Sequence, residues 1–484
     1  MADQMSRTTV PAPPTRLEPD AIGVAQDTII GMATSAPAVV VAFSLAALAS
    51  AANYGGGASL VICAIPMLII ANAYRRLNMW NANSGASFEW VGRAISPYLG
   101  FFTGWLMIVG YVIGTLSGVV GLGPSVLAVF NNNANSTWGN ILIATVIGVL
   151  MVIIAVIGIK LTARVQVVMA LIEYAILVIL SVWGLSWVLG HHAGTVSFSS
   201  GWLTPTGIGG HGELVGGFLI AVFAFSGWDG TVYVNEEVKH RRINPGRAAV
   251  FAALFLTVLY VLAQVGLQGV VPASALQAHS DSAVVYVAQT MGGTGWGDAA
   301  ALAIALSGIA TTGTGIVVGA RIIYGMASYR ALPEFLANVP RRFSTPAAAS
   351  VAFGLVVVVL TWIYLLSSSV ADAFTNILDL TGVLFAIFYV LTALASMAYY
   401  RRRVLTRPGD ALMLGILPLA SAAFLVWMVV KSMLDAPASQ VWTLVGIIVA
   451  GVILMFVAKF VLRSPFFNIS READSGRDEV PVRA

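Results

Sequence analysis

A carboxyl group stands in the middle of an apolar stretch of the chain. The stretch is residues 221–248, and it is interrupted by Ser226, Gly227, Trp228, Asp229 and Gly230. Lipid offers no water to a carboxylate or to loosened backbone, so an acidic residue beside two glycines is costly at this depth. Asp229 is therefore a candidate for proton uptake and release, or for contact with a cationic substrate group. The alternative is that Asp229 caps the helix that resumes after the interruption.

A second irregular stretch precedes Pro37 near the N-terminus, and it consists of Gly31, Met32, Ala33, Thr34, Ser35 and Ala36. Unwinding a helix frees amides at one cut end and carbonyls at the other, which suits a carboxylate and an ammonium group respectively. We therefore expect the amides of residues 31–35 and the Thr34 and Ser35 hydroxyls to bind substrate. The alternative is a kink at Pro37 with the hydroxyls bonded back to their own turn.

Further polar groups lie in two other apolar stretches. Glu173 could be a protonation switch or, with nearby oxygens, a cation ligand; its alternative role is a structural hydrogen bond. Ser307, Thr311 and Thr312 offer oxygens that suit a hard cation such as sodium, although hydroxyls and small residues also serve helix packing. The single cysteine, Cys63, excludes a disulfide within the chain and a Cys-based metal site, and we expect no cofactor.

The elements that must position these groups are transmembrane helices. Hydrophobic residues make up 58% of the 484 residues and charged residues only 10%, which indicates an all-α polytopic membrane protein. Windows of about 20 residues predict twelve spans. They are 27–51, 57–74, 97–120, 139–158, 165–189, 213–235, 247–270, 297–326, 347–366, 372–398, 411–432 and 440–462.

The basic residues predict the orientation of these spans. Every lysine and arginine except Lys431 falls in the tails, in the even-numbered connections or at the helix ends beside them. By the positive-inside rule, both termini then lie in the cytoplasm and the protein in the cytoplasmic membrane. Contact with anionic lipid headgroups accounts for the net charge of +4 without nucleic acid as a partner.

Two interrupted spans, five apart, predict inverted repeats with substrate bound between broken helices 1 and 6. The transporter core would be residues 21–405, with repeats at about 21–190 and 211–405. Spans 11 and 12, in residues 406–463, would be additions to it. Residues 1–20 read as a disordered cytoplasmic tail, and residues 464–484 as a second cytoplasmic tail.

The motifs resemble those of the amino acid–polyamine–organocation permeases, which have a five-plus-five inverted-repeat (LeuT-like) fold. The sixth span continues as FSGWDGTVYVNEEVKHRRINPGRA, similar to the family's pattern of Phe, Gly, a polar residue, Glu-Glu-Val-Lys and a basic end. Similar motifs occur at 73–105, 158–166 and 319–339, so the resemblance covers roughly residues 20–405. The first span departs from the family's Gly-Ser-Gly-Ile-Gly element.

The resemblance implies roles for several residues. The carbonyls of residues 223–226 would face the substrate amine, and Phe223 or Phe225 would close over it. Asp229 aligns with an acidic position of cationic-substrate exchangers, and Glu173 with a lysine of proton-driven relatives. Glu236, Glu237 and Lys239 would form an inner gate; the alternative is that they are charges snorkelling at the membrane edge.

These observations predict a secondary active transporter that imports an amino acid or small amine by alternating access, with proton coupling. An exchanger of cationic amino acids or polyamines and a sodium symporter remain as alternatives, and so, from a different class, does a channel or scaffold. An enzyme is not expected, because the chain has no HExxH or GxSxG motif and no paired histidine within a span.

Overall fold

The computed structural model describes residues 16–129, 136–207, 211–367 and 370–473. Within those ranges the chain is helical, and its one β-type contact is an isolated parallel bridge between Ile22 and Val238. The all-α prediction is confirmed. The α-helices are α1 (Val24–Thr34), α2 (Pro37–Ala52), α3 (Gly56–Trp80), α4 (Ser87–Ala94), α5 (Pro97–Val129), α6 (Thr137–Ile157), α7 (Ile159–Leu189), α8 (His211–Ala224), α9 (Gly230–Tyr233), α10 (Asn244–Leu267), α11 (Ala273–Ala278), α12 (Ala283–Gly292), α13 (Thr294–Ser328), α14 (Ala347–Ser367), α15 (Val370–Tyr399), α16 (Arg401–Val404), α17 (Pro408–Asp410), α18 (Leu417–Asp435) and α19 (Ala438–Phe456).

Shorter segments join or extend these helices. The 3₁₀ segments are Asn53–Gly55, Ser200–Trp202, Pro205–Gly207, Asn235–Glu237, Ser280–Ser282, Glu334–Ala337 and Pro465–Asn468. Two π-helical segments, Ala411–Ile416 and Val457–Val461, precede α18 and follow α19.

Helices occupy all twelve windows that the sequence marked as apolar. Ten segments of the described chain are long and apolar enough to cross a membrane. One of them, Val24–Trp80, contains both the first and the second predicted span, and the sixth predicted span is divided between α8 and α9. Twelve crossings and the bounds of the inverted repeats stay predictions.

Both predicted helix breaks are present, although the first lies further along than expected. The helix α1 continues through Thr34, and the chain leaves helical geometry only at Ser35 and Ala36. Ala36 adopts left-handed backbone angles, and α2 begins at Pro37, which lacks an N–H and suits a first helical position. In the sixth span, residues 225–229 separate α8 from α9, and Gly227 has a φ of 102° that glycine tolerates best.

The two longest helices, α5 and α13, pack tightly together beside the breaks. Small residues permit this approach: a Cβ on Gly315 would lie 2.0 Å from Thr115 Oγ1, and one on Gly308 would lie 2.7 Å from the Gly118 carbonyl oxygen. Helix α1 packs against α7, α9, α10 and α13, and α15 closes the side of α5 and α8. The broken segments therefore lie in the middle of the helical bundle.

The described parts of both tails are folded onto one end of the bundle. We call it the basic end, because it carries Arg93, Lys160, Arg241 and Arg242. Residues 16–20 are not a disordered tail, because Leu17 is buried and Glu18 pairs with Lys160. In the C-terminal segment, Phe466 is buried and stacks on Phe88 with ring centroids 3.9 Å apart. Glu472 forms a 2.7 Å ion pair with Arg93. Residues 1–15 and 474–484 of the predicted tails lie outside the described residues.

Candidate substrate site

The cut end of α2 is capped by side chains of the protein itself. Pro37 has no N–H; the amide of Ala38 donates to Glu173 Oε1 at 2.9 Å and to Ser307 Oγ at 3.1 Å. The amide of Val39 also points to Ser307 Oγ, at 3.5 Å. A carboxylate is the group that the positive end of a helix favours. Glu173 therefore binds the free amide at the start of α2, a position that would otherwise suit a substrate carboxylate.

The prediction that residues 31–35 supply free amides is wrong. Gly31, Met32, Ala33 and Thr34 belong to α1, so their amides lie inside a helix. The amide of Ser35 donates to the Met32 carbonyl at 3.1 Å. The hydroxyls of Thr34 and Ser35 bond back to the carbonyls of Ile30 and Gly31, as the alternative of a plain kink predicted.

The break in the sixth span holds Asp229 inside a cage of aromatic side chains. Tyr233 donates to Asp229 Oδ2 at 2.7 Å, and Tyr389 on α15 donates to Oδ1 at 2.8 Å. The Tyr389 hydroxyl also accepts the amide of Gly227 at 3.3 Å. The Asp229 side chain makes no cap bond to α9, so the capping alternative is wrong. The buried hydroxyl of Tyr111 faces the same carboxyl without closing a hydrogen bond of ordinary geometry.

A narrow cavity lies between the two breaks. The segments around them supply part of its lining, and α5, α13 and α15 supply the rest. The lining residues are Thr34, Ser35, Ala36, Val40, Tyr111, Gly114, Thr115, Ser117, Phe223, Ser226, Gly227, Gly315, Thr381 and Phe385. Its wall thus combines hydroxyl groups and aromatic rings, and none of these residues carries a charge at neutral pH.

Five of the predicted substrate residues reach this cavity: Thr34, Ser35, Phe223, Ser226 and Gly227. The others do not. Gly31, Met32 and Ala33 are in α1, and Phe225 packs its ring edge against Tyr260. Trp228 is fully buried and stacks on Tyr389 at 5.2 Å, and Asp229 lies behind the tyrosines. Of the two phenylalanines offered as a gate, Phe223 alone faces the cavity.

Glu173 and the hydroxyls of α13 form a polar cluster around the first break. Glu173 is fully buried, and within the described ranges its Oε2 has no hydrogen-bond partner. Thr311 Oγ1 donates to the Ala33 carbonyl or the Ser307 carbonyl, both at 2.8 Å. Thr312 bonds only within its own helix, to the Gly308 carbonyl. The structure brings Glu173, Ser307 and Thr311 together and leaves Thr312 aside.

A buried ion pair closes the bundle toward the basic end. Arg321 on α13 donates from Nε and Nη2 to the two carboxylate oxygens of Glu237, each at 2.8 Å, and both side chains are 0% exposed. A fork-to-fork pair fixes both direction and distance. Sequence reasoning identified Glu237 as a gate residue but missed Arg321, although it lies in the quoted motif at 319–339.

The other predicted gate residues behave differently. Glu236 Oε1 accepts the amide of Ser84 at 2.9 Å. Asn235, which the sequence did not single out, donates to Asn78 Oδ1 and to the Asn83 carbonyl, both at 3.0 Å. The side chain of Lys239 is exposed, whereas its amide donates to the Ile22 carbonyl at 2.9 Å. The sixth span therefore contacts α3 and the α3–α4 connection through the amide side chain of Asn235 as well as through the carboxylate of Glu236.

The family described as amino acid permease matches residues 27–460. The chain belongs to this family. It is a family of permeases rather than enzymes, as the sequence predicted. The predicted membership in the amino acid–polyamine–organocation group of permeases is confirmed.

Two similar curated proteins are amino acid transporters. "Cationic amino acid transporter 4, vacuolar" of Arabidopsis thaliana is 22% identical over 331 residues, which are 63% of this permease and 52% of that protein. "Asc-type amino acid transporter 1" of Homo sapiens is 26% identical over 260 residues, 54% of this chain and 46% of the human protein. The chain spans about half the length of the curated relatives it matches.

Solved structures of a manganese transporter from Eremococcus coleocola share the fold. One has a TM-score of 0.58 and 14% identity, covering 91% of this chain and 95% of that one. A point mutant of the same transporter has a TM-score of 0.60 at 12% identity, covering 90% and 95%. The predicted LeuT-like fold class is confirmed. In the described part of the chain, no group of three or more histidine, cysteine, aspartate or glutamate side chains could hold a metal ion.

Proposed function

We propose that this permease is a secondary active transporter that moves an amino acid by alternating access and couples the movement to protons. The observation that carries the proposal is the cavity between two helix breaks, with Asp229 beside one break and Glu173 at the other. Broken helices around a central site are the usual binding element of this architecture. The similar transporters named above support an amino acid substrate.

The cavity wall suits a small zwitterion or amine. Ser35, Ser117 and Ser226 line the cavity with hydroxyls that donate to the carbonyls of Gly31, Gly114 and Phe223, so each would have to rotate to donate to a substrate. The Tyr111 hydroxyl lies between the cavity and Asp229. The amides of α2 are already bonded to Glu173 and Ser307, so a substrate carboxylate would be held by hydroxyls instead. A substrate ammonium would lie on the side of the cavity nearest Asp229, where Tyr111 and Tyr389 separate the carboxylate from the cavity. An amine without a carboxylate remains the second candidate.

The two buried carboxyls are the proposed coupling groups. Both Asp229 and Glu173 are 0% exposed, and a charged group in a dry interior needs a partner. Asp229 accepts hydrogen bonds from two tyrosine hydroxyls. Glu173 accepts the Ala38 amide at the start of α2 on one oxygen, and its other oxygen has no partner among the described residues. Neutralisation by a proton is the cheapest change open to either group.

The location follows from charge. The basic end would face the cytoplasm, and the chain would lie in the cytoplasmic membrane with both termini inside, because positive residues are retained on that side. The Glu237–Arg321 pair would then be part of the cytoplasmic gate, and Phe223 part of the opposite one.

Uptake into vesicles tests this proposal. The full chain is reconstituted into proteoliposomes and offered labelled amino acids and biogenic amines under a pH gradient, a sodium gradient or neither. We expect saturable amino acid uptake that the pH gradient drives and a proton ionophore abolishes. Asp229→Asn and Glu173→Gln should lose this drive, whereas Asp435→Asn, at an exposed position at the end of α18, should keep it.

Other outcomes overturn separate parts of the proposal. Uptake driven only by sodium would overturn proton coupling, with the unpartnered Glu173 Oε2 as the natural ion ligand. Uptake seen only as counterflow against internal substrate would indicate an exchanger. Uptake of amines alone would overturn the amino acid substrate. Permeation that does not saturate would indicate a channel. No permeation of amino acids or amines would indicate a scaffold.

A further inference from the structure

The first span contains a further buried carboxyl group, Asp27, which has no partner among the described residues. Asp27 lies in the first turn of α1, and its side chain is 0% exposed. From the residues that the structure describes, neither Oδ1 nor Oδ2 accepts a hydrogen bond. Its own amide donates to the Gly23 carbonyl at 3.0 Å, so the backbone is satisfied while the side chain is not. Asp27 takes no part in the proposed substrate or coupling groups.

Asp27 lies one turn before Gly31 on α1, and at Gly31 this helix is pressed against the second half of the sixth span. One turn further along the same face, a Cβ on Gly31 would lie 2.6 Å from Thr231 Cγ2 and 2.8 Å from the Trp228 carbonyl oxygen. The hydroxyl of Thr231 is also buried and has no hydrogen-bond partner in the described part of the chain. Of the two side chains that lack a partner among the described residues, Thr231 therefore lies at the contact between α1 and α9, and Asp27 lies one turn from that contact toward the basic end.

The ionisable side chains near α1 do not compensate Asp27. Arg321 is committed to Glu237, Glu173 to the amide of Ala38, and Tyr233 to Asp229. None of the ionisable groups on the helices packed against α1 bonds to Asp27. They are Lys160, Arg164, Glu173 and Tyr174 on α7, Tyr233 on α9, Arg247 and Tyr260 on α10, and Asp298, Arg321 and Tyr324 on α13. Glu236, Glu237 and Lys239 follow α9.

A carboxylate without a partner is far more costly to bury than a neutral carboxylic acid. We infer that Asp27 is a proton-binding residue of the transport cycle, neutral while α1 is packed against α9 and α10 and ionised once that seam opens. On opening, the O–H bond of the acid breaks, the proton passes to water at the basic end, and the entering water solvates the carboxylate. The inference rests on the proposed transport function and adds a proton site to it.

This arrangement ties release of one proton to the movement of α1. If one proton leaves on opening, each unit rise in pH at the basic end favours the open form by up to about tenfold. Asp27→Asn keeps the size of the side chain and removes the exchangeable proton of the acid. Its open form should therefore no longer depend on pH through this group.

Infrared spectroscopy of the full chain tests the inference apart from transport. A protonated carboxylic acid has a carbonyl stretch distinct from that of a carboxylate. We expect wild type at neutral pH to show a band for a buried acid that is absent from Asp27→Asn and retained in Thr231→Val. Asp27→Leu, which tolerates burial, should also lose the band and should fold at least as stably as wild type.

Transport supplies the second readout. In proteoliposomes with the basic end facing inward, wild-type uptake should rise with internal pH by up to about tenfold per unit, and Asp27→Asn should be nearly insensitive. An unchanged infrared spectrum and an unchanged pH profile in Asp27→Asn would overturn the role of Asp27. If Asp27→Asn instead lost a dependence of uptake on sodium, Asp27 would be a cation ligand, and its role as a proton site would be overturned. No uptake by wild type would contradict the proposed function, whereas the infrared band would still report on Asp27.

Discussion

Removing one partner of the buried Glu237–Arg321 pair should destabilise the protein strongly. Both side chains are 0% exposed and share two hydrogen bonds of 2.8 Å, so neither charge has water as a substitute. Glu237→Gln leaves the Arg321 guanidinium buried without a counter-charge. Breaking such a pair costs roughly 3–5 kcal/mol of unfolding free energy.

Removal of both charges separates this reasoning from a general loss of packing. The double variant Glu237→Leu with Arg321→Met replaces the pair by apolar groups of similar size, a change that is often neutral or stabilising. It should therefore be more stable than Glu237→Gln alone. As a control, Glu334→Gln removes one partner of the exposed Arg330–Glu334 pair, and it should cost less than about 1 kcal/mol.

The assay is denaturant unfolding of purified protein in mixed micelles, followed by tryptophan fluorescence. Our account would be refuted if Glu237→Gln were within about 1 kcal/mol of wild type, a cost typical of an exposed pair. It would also be refuted if the double variant lost as much stability as Glu237→Gln or more.

Three further predictions concern the break, the C-terminal segment and the α4 helix. Gly227→Ala places a side chain at a φ of 102°, with its Cβ 2.9 Å from the Thr34 carbonyl oxygen. We expect it to lower the free energy of unfolding by roughly 1–3 kcal/mol and to reduce uptake. The control Gly446→Ala, with open space around it, should behave as wild type. Phe466→Ala removes a buried ring stacked on Phe88 and should cost roughly 3–5 kcal/mol in thermal or denaturant unfolding, more than Phe467→Ala at its half-buried neighbour. Burial raises the pKa of the Glu89 carboxyl, which lies outside the spans. The folded state therefore binds this proton more tightly than the unfolded state does. Stability should fall as the pH rises from the ordinary pKa of glutamate through the raised pKa of Glu89. Glu89→Gln should remove this dependence of the unfolding free energy on pH. An unchanged dependence in the variant would show that Glu89 is not its source.

The helical framework could be predicted from the sequence because hydropathy and charge act locally. Each apolar window contains a helix, and Pro37 marks the start of α2, since a residue without an N–H suits that position. The extent of unwinding could not be predicted in the same way. Met32, Ala33 and Thr34 are compatible with a helix, so α1 continues through them until the left-handed turn at Ala36.

The partners of the functional groups could not be predicted, because they come from distant parts of the chain. Tyr389, which holds Asp229, lies 160 residues away, and Arg321 lies 84 residues from Glu237. The capping of α2 by Glu173 joins residues 135 apart. Asp27 gave no signal at all, because it is a single carboxyl at the start of an apolar window and lacks a neighbouring break.

Proton movement driven by an amino acid would show directly that this permease couples the two. Proteoliposomes that contain the full chain and a pH-sensitive dye in the lumen are mixed with an amino acid that the uptake screen has identified, without an imposed gradient. We predict acidification of the lumen in proportion to uptake in wild type, and none in Asp229→Asn or Glu173→Gln. Amino acid uptake with no proton movement in wild type, or equal acidification in the variants, would contradict the account.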